Sequence, residues 1–151
     1  MRQLSRRAAL ALGAGSAALT FVGWNGQALA AAKEAAADIA KFTGGKTAEA
    51  AKVSIELPEI AENGNTVPLS FTVDAPMTAD NYVSEVLVVA EGNPNPGVAT
   101  FHFSPLSGKA EASTRIRLAT TQNIIVVAKT SGGQFYTGQK LVKVTIGGCG
   151  G

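Results

Sequence analysis

The 151-residue sequence holds one cysteine, one histidine and one tryptophan, and each scarcity closes a class of function. A single cysteine makes no internal disulfide, so the antibody-type bridge between sheets is excluded. With one histidine and one cysteine, no spacing in the chain supplies the ligands of a zinc-type metal site. There is no glycine loop between a strand and a helix to cradle phosphate, and no nucleophile elbow. The sequence carries no motif for a cofactor. Charged residues make up 16% of the chain, with no lysine and arginine cluster of the kind that nucleic acid requires. Glu56, Glu59 and Glu62 lie close together, yet paired acid and base catalysis needs two carboxylates at a fixed separation, and these three read as solvated surface.

What is present begins with residues 1–30, "MRQLSRRAALALGAGSAALTFVGWNGQALA", which have a basic start, an uncharged middle and a small-residue end at Ala28-Leu29-Ala30. This is the pattern of an export signal cleaved after Ala30. Arg6-Arg7, preceded by Ser5 and followed by Leu10, resembles the twin-arginine signal that carries folded proteins across the bacterial inner membrane, with Ala9 where that motif usually has Phe. A general secretory signal or a retained anchor are the alternatives, although a spanning helix wants about 20 strongly apolar residues. Removing residues 1–30 takes three arginines and leaves ten basic against eleven acidic residues, a net charge near −1. The pI of 8.8 therefore belongs to the precursor.

Residues 31–51 are alanine-rich, with Ile39 and Phe42 at helical spacing, and predict a short helical appendage that stops at Gly44-Gly45. From Lys52 the pattern changes to β-branched runs punctuated by Gly, Pro and Asn. Residues 52–146 predict seven strands, near 52–57, 66–73, 82–90, 98–103, 111–119, 122–130 and 134–146. Val53, Ile55 and Leu57 share a face, as do Val67, Leu69, Phe71 and Val73, then Ile116 with Leu118, and Val142, Val144 and Ile146. Arg115, Arg117, Lys143 and Thr145 point the other way. Short turns at 62–65, 91–97, 105–109 and 131–133 join these runs. The expected fold is all-β, an immunoglobulin-like sandwich of about seven antiparallel strands, with a partly open barrel as the alternative.

Function must then be sought in a site. His102, in "TFHFSP", lies between two phenylalanines whose side chains face away from its own, and reads as structural or surface. Cys149 is different. In "VTIGGCGG" the sole thiol sits between Gly147, Gly148 and Gly150, Gly151, residues that lack side chains and resist strand or helix. Residues 147–151 are thus expected to form a flexible arm that holds the sulfur roughly 10 Å beyond Ile146. The nearest cation along the chain is Lys143, and the terminal carboxylate of Gly151 opposes a thiolate, so activation must come from whatever receives the arm. Such a thiol suits a carrier better than a catalyst or a peroxidase.

The "GGCGG" terminus resembles the signature of the SoxY family, the sulfur carriers of the bacterial periplasmic Sox system. The segments "LPEIAENGNTVPLSFTVDAPM" at 57–77 and "FHFSPLSGKAEASTRIRLAT" at 101–120, with the export signal, extend the likeness over most of the chain. The resemblance implies a non-enzymatic periplasmic protein on whose Cys149 thiosulfate-derived sulfur is bound covalently. It implies a heterodimer with a SoxZ-like subunit that shares its export signal. It further implies visits to a haem-containing SoxAX, which loads thiosulfate, to the manganese enzyme SoxB, which hydrolyses the adduct, and to a sulfane dehydrogenase. Neither nucleic acid nor, after signal cleavage, a membrane is implied. In this reading Gly148→Val leaves folding intact and slows loading and hydrolysis. The rival reading is an exported immunoglobulin-like adhesion or assembly module whose cysteine pairs with another chain.

Overall fold

The computed structural model describes residues 23–148, with side chains of its first helix from residue 29 onward. Residues 1–22 of the expected export signal, and Cys149, Gly150 and Gly151, lie outside the described residues. One helix, α1 (Gly23–Thr43), precedes eight strands: β1 (Val53–Glu56), β2 (Ile60–Asn63), β3 (Val67–Val73), β4 (Val83–Ala90), β5 (Gly97–His102), β6 (Ala110–Ile116), β7 (Gln122–Thr130) and β8 (Phe135–Ile146). They form a three-stranded sheet, β1-β3-β6, facing a five-stranded one, β2-β8-β7-β4-β5. This is an immunoglobulin-like sandwich, and the alternations that predicted it fill its core. Val67, Leu69, Phe71 and Val73 are all buried, opposite Val86, Val88, Ile124, Val126 and Val142 of the other sheet. Phe71 meets Phe101 edge-on, ring centres 5.1 Å apart, and Phe103 at 6.4 Å. Aromatic pairs favour such edge-to-face geometry.

Two expectations are corrected. There are eight strands and not about seven, because Ile60–Asn63, too short and polar to show a period, pairs with β8. That pair is parallel, with Ile60 opposite Lys143 and Ala61 opposite Val144, so the sheet is not wholly antiparallel. The cause is connectivity. The chain leaves the small sheet after β1, crosses to the edge of the large one and has only a few residues in which to pair before returning to β3.

The helical expectation changes at its start, while the stop at Gly44-Gly45 holds. The helix already runs through Gly23–Ala30, and it stops at Thr43. There Gly44 and Gly45 adopt φ of 62° and 78°, and Gly45 N–H donates to the Ala40 carbonyl at 2.9 Å. A left-handed cap of this kind suits glycine. Nor is the helix an appendage. Ala35, Ile39 and Phe42 share one face and pack on Leu87, Val89 and Ile125 of β4 and β7. Leu87 to Ala90 are consequently buried on both faces, one against the sandwich core and one against α1. Among the described residues, no helix is long and apolar enough to cross a membrane.

Candidate functional site

The tail is positioned by β8, which runs between β2 and β7 and ends at Ile146. Its last rungs bring three distant segments to one point. Gly64 N–H donates to the Ile146 carbonyl at 2.7 Å, Leu118 N–H donates to the Gly64 carbonyl at 2.8 Å, and Gly148 N–H donates to the Leu118 carbonyl at 2.8 Å. Ordinary side chains would not let these backbones so close. A Cβ at Gly147 would lie 2.2 Å from the Ala119 carbonyl oxygen, one at Gly148 2.8 Å from that of Gly64, and one at Gly64 2.2 Å from that of Leu118. Atoms cannot approach to such distances, so these positions need glycine for space.

This changes the expectation for the root of the tail. Composition placed it at Ile146, with Gly147 and Gly148 serving as loose joints, but the structure buries Gly148 and ties its amide to the domain. Bulk at Gly148 must displace backbone, so the expectation that Gly148→Val leaves folding intact is corrected. Cys149, Gly150 and Gly151 themselves lie outside the described residues.

A cleft of about 780 Å³ lies against residues 119–122, walled on its other side by the middle of α1 from Ala30 to Glu34; among the described residues its lining includes the carboxylates of Glu34 and Glu91 and no cation. Thiolates are favoured beside positive charge and disfavoured beside carboxylates. His102 is remote. It sits on β5 opposite Glu85, whereas the root lies toward Ala90, which pairs with Ile124. From Glu85 to Ala90 the strand advances roughly 17 Å at about 3.4 Å per residue. Its ring is 70% exposed and its Nδ1 lies 3.6 Å from Glu85 Oε1, with Lys129 Nζ 3.3 Å from the other carboxylate oxygen. Glu56, Glu59 and Glu62 are exposed. No group of three or more His, Cys, Asp or Glu side chains among the described residues could hold a metal.

Sequence reasoning singled out the cysteine and its glycines and missed their partners. "ENGN" reads only as a turn, and nothing marks Gly64 within it as a place where two other backbones meet. Leu118 counts as a core residue, which it is, while the part it plays at the root belongs to its main-chain N–H and C=O.

The family model "Sulfur oxidation protein SoxY" matches residues 39–149. The sulfur carrier protein SoxY from Chlorobium limicola f thiosulfatophilum superposes with a TM-score of 0.67 at 31% identity, covering 81% of this chain and 100% of that one. A superoxide reductase (neelaredoxin) from Ignicoccus hospitalis covers 62% of this chain and 80% of that one at TM-score 0.56 and 18% identity. The superoxide reductase from Nanoarchaeum equitans covers 64% and 100% at TM-score 0.51 and 13% identity. At such identities these two share the fold alone. No curated protein matches the chain. A family match over most of the sequence, ending on the tail cysteine, and a solved structure alike along its whole length lead to one conclusion: the chain belongs to the SoxY family of sulfur oxidation proteins.

Proposed function

We propose that this protein is a non-enzymatic carrier of sulfur intermediates in thiosulfate oxidation, holding them on Cys149 at the end of a C-terminal arm. The observation that carries this reading is the root: the only thiol in the chain follows directly on a backbone knot in which Gly148 is fixed and buried. A thiol one residue beyond a fixed point, with no base or cation beside it along the chain, is placed for delivery and not for self-activation.

The chemistry divides between carrier and partners. In loading, the Cys149 thiol gives up its proton and a bond forms between Sγ and the outer sulfur of thiosulfate. The two electrons released would pass, one at a time, to a haem-containing SoxAX-type partner, and the product is Cys–S–S–SO₃⁻. A SoxB-type hydrolase then adds water across the bond between the outer sulfur and the sulfonate. Sulfate departs and a persulfide, Cys–S–SH, remains. A sulfane dehydrogenase would remove electrons from that sulfur to its own electron acceptor while oxygen comes from water, giving Cys–S–SO₃⁻, and a second hydrolysis releases sulfate and restores the thiol. The scaffold contributes a steady base and a slender chain that enters an enclosed site.

The cycle belongs in the periplasm, and the heterodimer partner is a SoxZ-like subunit. For its docking we favour the outward face of β2 and β8, where Ile60 and Leu141 are 58% and 50% exposed on neighbouring strands. This face leads toward the arm's root through Lys143 and Thr145, both exposed. Replacing both by lysine, Ile60→Lys with Leu141→Lys, is expected to weaken the heterodimer by roughly tenfold or more in Kd, read by analytical ultracentrifugation, because desolvated interface anchors each contribute about 1 kcal/mol or more. An unchanged Kd would move the interface elsewhere.

Intact-mass spectrometry of the protein from thiosulfate-grown cells tests the reading itself. The expected result is a family of sulfur and sulfur-oxyanion additions that map to Cys149 and disappear on reduction. Finding only disulfide-linked chains would favour the adhesion or assembly module instead.

A further inference from the structure

We infer that Asn93 and Gln122 form a buried clamp that sets where the arm leaves the domain, acting through the loop from Arg117 to Thr121. They are positioning residues, distant from the thiol in sequence. The inference rests on the carrier reading for its purpose, though its geometry stands independently.

Both side chains are almost wholly buried, at 2% and 4% exposure; Asn93 comes from the loop between β4 and β5, Gln122 opens β7, and they meet beside the connection between β6 and β7. Their amides close on that connection from both sides of Leu118. Asn93 Nδ2 donates to the Arg117 carbonyl at 2.8 Å. Its Oδ1 accepts from Ala119 N–H at 2.9 Å and from Gln122 Nε2 at 2.8 Å. The same Gln122 nitrogen donates to the Thr120 carbonyl at 3.0 Å, while Gln122 Oε1 accepts from Gly92 N–H at 2.8 Å. The loop is thus gripped at Arg117, Ala119 and Thr120. The residue in the middle, Leu118, receives the amide of Gly148 and gives its own to Gly64.

Buried amides cost free energy unless they are bonded, and two apolar side chains would fill the same space without that risk. What an apolar pair cannot do is hold a carbonyl in one direction. The Gly148 N–H needs such an acceptor, since the close approach at Gly147 and Gly148 tolerates no lateral play. A fully bonded network in a low-dielectric interior is stiff. It turns the loop from Arg117 to Thr121 into a fixed mount.

The test uses the full chain and does not depend on turnover. In Asn93→Ala, which removes all three of its side-chain bonds, hydrogen exchange of the Gly148 amide is expected to quicken by about tenfold as the Leu118 carbonyl loosens. A nitroxide on Cys149 should give a narrower spectrum. Gln122→Met keeps the volume and the two bonds from Asn93 to the loop, so the quickening should be smaller, about threefold; it also serves should Asn93→Ala fail to fold. Val88→Ala, which weakens the core elsewhere, is expected to leave both signals unchanged. Gly148 exchange indifferent to both clamp variants, or equally quickened by Val88→Ala, would overturn the inference. A working clamp in a protein whose Cys149 never carries sulfur would instead remove the carrier reading alone.

Discussion

Cys149→Ser abolishes sulfur attachment: this is the expected result, with thiosulfate-dependent sulfate release falling roughly a hundredfold or more, as removal of a nucleophile does in covalent catalysis. The substitution changes one atom. A hydroxyl oxygen cannot form the sulfur–sulfur bond that holds thiosulfate, nor the persulfide left after hydrolysis, and no other sulfhydryl exists in the chain to take its place. The bonds that fix the root run between main-chain groups of Ile146, Gly148, Gly64 and Leu118, so melting temperature and far-UV circular dichroism should match the parent protein. Mass spectrometry should show no sulfur additions at residue 149. Sulfate release at the parental rate would end the carrier proposal.

Gly148→Val carries the second large effect, and here stability and transfer are expected to fall together. The added Cβ would meet Gly64 at 2.8 Å from its oxygen and 2.9 Å from its carbonyl carbon, and Asn65 N at 3.0 Å. These are backbone atoms, so relief requires the strand end or the turn to move. The bond from Gly148 N–H to Leu118 is then lost, at a cost of about 1–3 kcal/mol once the buried carbonyl is left unpaired, which lowers the melting temperature by roughly 4–10 °C. Loading by a SoxAX-type partner should drop by roughly tenfold, because the thiol departs from a displaced origin. Gly132→Ala is the control: an added Cβ there has its nearest neighbour 3.9 Å away, and no change is expected. Gly150→Val separates packing from access, since a narrow enzyme entrance would penalise it in transfer without any shift in melting. A Gly148→Val protein that melts like the parent would show that the root is not packed in this way.

The difference between those two glycine variants marks how far the letters could be read. That Gly147, Gly148, Gly150 and Gly151 serve one purpose is the natural inference from symmetry about the cysteine. The backbone around Gly148 assigns it to packing against Gly64 and Leu118, a fact no local pattern encodes. The same division runs through the fold. Val67, Leu69, Phe71 and Val73 announce a half-buried strand because alternate side chains face alternate sides, and Gly44-Gly45 announces the end of a helix. Ile60–Asn63 announces nothing, since its single buried side chain, Ala61, leaves no period to detect. Asn93, within "EGNPNPG", looks like an ordinary turn former and proves to be nearly sealed from water.

The sequence by itself determined the sandwich, most of its strands, the family and the place of the single thiol, because these follow from alternation, turn chemistry and the count of thiols. Only the tertiary structure decided that α1 covers the large sheet, that β2 runs parallel to β8, and that Gly148 is fixed against Gly64 and Leu118. Each of those depends on which distant backbones come within hydrogen-bonding reach, and such meetings are settled by the packing of the whole domain, where every local stretch is compatible with several answers.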